Sequence, residues 1–201
     1  MDIVDGRTIA FCGGDILRHT QAVKEDFPHM VAPPEQLPEL IRQYLGVQDV
    51  LIAGYNQPTL MFHLDQAMML LGNQKAVVLT VSGPFPEERK KRRLVNDVMT
   101  FTTGLKKRLK ERGYSIILIE ATADDVLNYR LPTNGIVFTN AETGELTMFY
   151  PVFSSRDGTG YTEAERRNMD RLTAAGLKVI PLFTENYKLR GGPHCMINVL
   201  E

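Results

Sequence analysis

Residues 60–81, LMFHLDQAMMLLGNQKAVVLTV, read as two apolar runs, Leu60 to Leu71 and Ala76 to Val81, joined at Gly72-Asn73, the pattern of a β-hairpin. The next stretch, Glu87 to Arg112, sets Leu94, Val98, Phe101, Leu105 and Leu109 on one helical face and many lysines and arginines on the other, with Gly113 placed to cap its C-terminus. Ser115 to Ile119 then reads as a strand. Strand, strand, helix and strand in that order make a ββαβ unit, and the fold class follows from whether its neighbours repeat it.

Working outward, the same pattern returns on both sides. Upstream, Thr8 to Leu17 holds a short apolar strand broken by Gly13-Gly14. Pro34 to Leu45 carries Leu37, Leu40, Ile41, Tyr44 and Leu45 at helical spacing and ends at Gly46, before the strand Val50 to Ala53. Downstream, Gly135 to Thr139 and Leu146 to Phe153 form a second hairpin around Asn140 to Gly144. Thr162 with Glu165 fits a capping box that opens a helix closing at Gly176, before the strand Leu177 to Leu182. No linker or low-complexity segment divides residues 1–201, which read as one α/β domain of repeated ββαβ units, although no internal repeat is visible residue by residue.

Composition narrows the classes. The chain has 201 residues, 43% of them hydrophobic, with 23 basic against 24 acidic side chains. That apolar content excludes a disordered chain, and no apolar run is long enough to be a spanning helix. A net charge of -1 argues against a general nucleic-acid or membrane-surface binder. Arg89-Lys90-Lys91-Arg92-Arg93 and Lys106-Lys107-Arg108 fit the solvated face of an amphipathic helix, with no interleaved aromatics to stack on bases. Two cysteines make no disulfide framework, and the first 15 residues do not read as a signal peptide, so the expected location is a reducing cytoplasm.

Three stretches carry candidate chemistry. In Arg190-Gly191-Gly192-Pro193-His194-Cys195-Met196 the glycines and proline bend the backbone just before a thiol. Cys195 is either a small packed hydrophobe or a nucleophile whose pKa nearby positive charge lowers. In Phe62-His63-Leu64-Asp65, placed on a strand, His63 and Asp65 would share one face while Phe62 and Leu64 enter the core. An imidazole beside a carboxylate can serve as general acid and base, or be an ordinary surface pair. In Phe11-Cys12-Gly13-Gly14-Asp15, paired glycines let the backbone approach a ligand closely and set a carboxylate after them, or simply form a turn.

Taken together and in this order, FCGGDIL, FHLDQAMMLL and RGGPHCM resemble the motifs of the guanidino-group-modifying superfamily of the pentein fold. The arginine deiminase branch is the most similar, with agmatine deiminases near. The resemblance implies an α/β propeller of ββαβ modules. It also implies a hydrolase in which Cys195 attacks the guanidinium carbon, His63 protonates the departing amine and then activates water, and Asp65 grips the guanidinium nitrogens. Gly14, Asp15 and Arg190 would line the substrate site, Arg190 holding a substrate carboxylate if there is one, and LNYRLPTNGIV adds Asn128. No metal or organic cofactor is implied; an amidinotransferase is the related alternative chemistry. The family pattern has an acidic residue before GGD where this chain has Cys12, and an upstream aspartate that has no match here, since only Asp2 and Asp5 precede GGD and neither sits in a matching context. A catalytically degenerate domain that binds a guanidino ligand or a protein partner is therefore the second expectation. A further expectation is that Cys12 and Cys195 share one cleft. Since five modules close a pentein ring, this length implies three to four modules, either an incomplete ring completed by a second copy or a partner chain, or a chain missing its N-terminal module.

Overall fold

The structure, a computed structural model, describes residues 2–4, 6–14, 33–53, 57–58, 60–61, 63–154, 160–185, 188 and 193. Asp15, Arg190 and Cys195 lie outside the described residues, and with them the expected shared cleft of Cys12 and Cys195.

Among the described residues nine strands fall into three sheets of three, with orders β1-β2-β3, β4-β5-β6 and β7-β8-β9. The first module holds β1 (Asp2–Val4), β2 (Arg7–Gly13), a 3-10 turn at Pro34–Gln36, α1 (Leu37–Leu45) and β3 (Asp49–Ala53). In the second, β4 (Met68–Gly72) and β5 (Lys75–Ser82) precede α2 (Arg89–Glu111), β6 (Ser115–Thr122) and a short α3 (Ala123–Leu127). The third runs β7 (Ile136–Thr139), β8 (Leu146–Val152), α4 (Glu163–Ala174) and β9 (Lys178–Phe183). In each module the first strand pairs antiparallel to the second, and the second parallel to the third across the helix. The parallel pairing follows from the helix, because a crossover returns the chain in its starting direction.

Local chemistry explains the elements. The hairpin of the quoted stretch closes on Asn73 and Gln74, both at positive φ (50° and 56°), the conformation a two-residue turn matched to strand twist requires. Thr162 accepts a hydrogen bond from the Glu165 N–H at 3.2 Å, and the Glu165 carboxylate accepts from the Thr162 N–H at 2.8 Å, so the expected capping box is present. Gly135 is set by close approach: a Cβ there would lie 2.6 Å from the Phe149 carbonyl oxygen.

Two elements add to the expected order. β1 makes the first module a full ββαβ unit, and α3 is opened by a reciprocal Thr122–Asp125 cap. One apolar core joins Ile9 and Ala53 of the first module to the second, and another joins Leu71, Val77 and Ile119 of the second to Met148, Tyr150 and Leu172 of the third. Among the described residues no helix is long and apolar enough to cross a membrane.

Candidate active site

The second and third strands of each module point the same way, and the first strand points back. Within each module the C-terminal ends of the two parallel strands, β2 and β3, β5 and β6, β8 and β9, therefore lie at one edge of their sheet. The GGD stretch leaves β2, and the HLD stretch lies between β3 and β4.

Contrary to the sequence expectation, His63 and Asp65 do not sit on a strand. His63 is extended (φ -123°, ψ 155°), and the chain then turns through a 3-10 segment, Leu64–Gln66, before β4 starts at Met68. The ladder to β5 begins with Met68 opposite Val78. The reason is hydrogen bonding: upstream of Ala67, whose carbonyl accepts from the Leu79 N–H of β5 at 2.9 Å, the backbone is held by side chains and turns rather than by a strand. The His63 N–H donates to Gln66 Oε1 at 3.3 Å, and the Gln66 N–H donates back to the His63 carbonyl at 3.3 Å. His63 is thereby exposed and Asp65 half-buried in the turn that follows.

A side chain not singled out from sequence connects the motifs. Gln57 is 5% exposed. Its Oε1 accepts from the Gly14 N–H at 2.5 Å, and its Nε2 donates to the Met61 carbonyl at 2.8 Å. One amide thus ties the residue just before Asp15 to the segment two residues before His63. On the other side, the Thr133 hydroxyl donates to the Gln66 carbonyl at 2.6 Å, bringing in the loop between β6 and β7. Three loops are locked by two buried polar side chains, Gln57 and Thr133, which fix backbone positions and leave the His63 ring at the surface. The only signal in sequence was a polar residue before Pro58 in a loop between two motifs, too common to read.

Asn128 sits at the end of α3. It caps the C-terminus of α3, its Nδ2 donating to the Asp124 carbonyl at 2.8 Å and to Asp124 Oδ1 at 3.0 Å. It lines a cavity of about 670 Å³ with Leu60, Phe85, Lys90 and Leu127, so it faces the stretch leading to His63 through Leu60. Cys12, half-buried in β2, stands opposite Ile52 of β3.

No family model and no curated protein matches the sequence. Solved structures do match. The agmatine deiminase of C. jejuni superposes with a TM-score of 0.61 at 12% identity, covering 96% of this chain and 52% of its own. A Porphyromonas gingivalis protein provisionally assigned as an arginine deiminase gives 0.63 at 14%, covering 96% and 53%. The agmatine deiminase of Enterococcus faecalis gives 0.54 at 13%, covering 95% and 53%. The chain therefore shares the fold of these deiminase structures, and it spans about half their length.

Proposed function

We propose that the chain carries the active site of a cysteine-dependent hydrolase of guanidino compounds, acting on arginine or a related small molecule. The observation that carries this reading is the Gln57 bridge, which joins the GGD and HLD loops at one end of a deiminase-type fold. Chain position supports the third motif: His63 follows the last strand of the first module, and RGGPHCM follows the last strand of the third.

In the proposed reaction the Cys195 thiolate forms a bond to the guanidinium carbon, and the carbon–nitrogen bond breaks as His63 passes its proton to the leaving nitrogen. Neutral His63 then takes a proton from water, whose oxygen attacks the same carbon. The carbon–sulfur bond breaks as the added hydroxyl gives its remaining proton to the released ammonia, the thiolate is restored and a neutral ureido product leaves with ammonium. Asp65 and Asp15 offer planar carboxylates to the planar cation, and Arg190 offers a counter-ion to a substrate carboxylate. Cys12 leaves the position beside GGD without the charge that would hold an imidazolium, so turnover is expected to be slower than with a carboxylate there.

We read the three modules as part of a ring. Leu40 and Leu45 of α1 are exposed and Tyr44 is 91% exposed, an apolar face at the place where α2 and α4 meet a preceding module. That supports a further module or a second copy against α1.

The test is incubation with arginine, agmatine and methylated arginines, reading ureido product and ammonia, with Cys195→Ser as control. Product lost in the control supports the reading. No product and no labelling of Cys195 by a haloacetamidine overturns it, and guanidino binding without turnover would point to a binding domain.

A further inference from the structure

We infer that Gln57 is a positioning residue for the site, acting through the backbone on both Gly14 of the GGD motif and His63. This rests on the reading of His63 as general acid and base and extends it to a side chain that the motifs do not contain. The amide is suited to the task because it presents one acceptor and one donor in a fixed plane. The acceptor meets the Gly14 N–H and the donor meets the Met61 carbonyl, 2.5 and 2.8 Å away. Both bonds are made by a buried group to backbone atoms, where an unmet partner is costly and no solvent competes.

The downstream half of the frame is made differently. Gln66 and Thr133 hold the His63–Gln66 turn, so the histidine is braced from both sides in sequence. Gln57 also reaches the GGD loop, so it bridges the two motifs. A carboxylic acid has the same two functions when protonated and loses the donor when ionised. Gln57→Glu is therefore a titratable version of the bridge, whereas Gln57→Leu removes both bonds at similar volume.

The experiment combines turnover with a readout that does not need it. In Gln57→Leu, checked as folded by circular dichroism and thermal melting, kcat for arginine or agmatine is expected to fall at least tenfold. In Gln57→Glu the rate relative to wild type is expected to rise as pH is lowered from 8 to 5 at a temperature where both proteins are folded. Independently, NMR of the unliganded protein should show faster Gly14 amide exchange by at least tenfold and displaced His63 imidazole peaks in Gln57→Leu, His63 being identified by its loss in His63→Asn. Unchanged His63 peaks and Gly14 exchange in a folded Gln57→Leu overturn the inference, as does a wild-type kcat with no pH-dependent recovery in Gln57→Glu. A wild-type protein that neither turns over nor labels at Cys195 overturns the proposed function, while the NMR comparison still decides the role of Gln57.

Discussion

The two joints between modules are built on one plan with opposite chemistry. In α2, Arg108 Nη1 donates to the Ile52 carbonyl of β3 at 3.1 Å; in α4, Arg171 Nη1 donates to the Leu118 carbonyl of β6 at 3.2 Å. Aligning the helices on these arginines sets Leu109 against Leu172, both buried, but Leu105 against Asn168 and Thr102 against Glu165. The first joint is closed by apolar burial. The second adds to its apolar core a polar network: the Asn168 side chain accepts from the Glu120 N–H and donates to the Glu120 carbonyl, each at 2.7 Å, and donates to the Tyr150 hydroxyl at 3.0 Å. Burial keeps that hydroxyl protonated far beyond the ordinary tyrosine range. The lesson is that backbone geometry can repeat while the side chains that hold it do not.

The sharpest way to break the comparison is at Leu105, which is 2% exposed. Leu105→Ala should cost about 3 kcal/mol, because a packed apolar joint cannot collapse around a cavity. Asn168→Ala should cost less, about 2 kcal/mol, although three hydrogen bonds are lost. The difference comes from a cavity of about 570 Å³ lined by Glu120, Tyr150 and Asn168, through which water can reach the orphaned groups. Denaturant unfolding of both variants checks the order; an Asn168→Ala loss exceeding that of Leu105→Ala would show the polar joint to be the stronger.

This contrast also explains what was legible in the sequence. The ββαβ order was readable because hydrophobic period, Gly72-Asn73 and the Thr162–Glu165 box are local signals. The repeat was not readable residue by residue, since Leu105 and Asn168 fill equivalent places. Strand β1 escaped because three residues carry no period, and α3 because five carry little more, although its Thr122–Asp125 cap was there to be seen. His63, Asp65 and Gly14 were legible as motifs, but their setting was not. An H-x-D beside an apolar run looks like a strand until Gln66 and Gln57, distant or ambiguous in sequence, take over its backbone bonds.

The polar joint should respond to acid where the apolar one does not. The hydrogen bond from Arg171, followed by that from Arg167, holds the Glu120 carboxyl below its ordinary value of 4.5, despite opposing desolvation. A folded-state pKa lower than the unfolded one means stability that is complete above the unfolded value and lost as pH falls through the folded one. Unfolding midpoints should therefore drop below pH 4.5 in wild type and drop less in Glu120→Gln. Equal acid sensitivity in the two proteins would remove Glu120 from the account.

The smallest effect separates the joints from the surface beside them. Helix α2 opens with Arg89, Lys90, Lys91, Arg92 and Arg93, all exposed, with no acidic residue in its first turn and no side-chain cap. Lys91 reaches Glu88 at 2.9 Å and Arg92 reaches the Pro86 carbonyl at 2.9 Å, yet the cluster stands at the positive end of the helix dipole. Helix α4 opens instead with Glu163 and Glu165, as the dipole favours. Lys90→Glu should accordingly stabilise the protein by about 0.5 kcal/mol at low salt, and added salt should shrink the gain, since screening relieves the repulsion among the cations it replaces. A loss of stability at every ionic strength would mean that the cluster is held by interactions stronger than its own repulsion, and that the end of α2 is not the frustrated counterpart of α4.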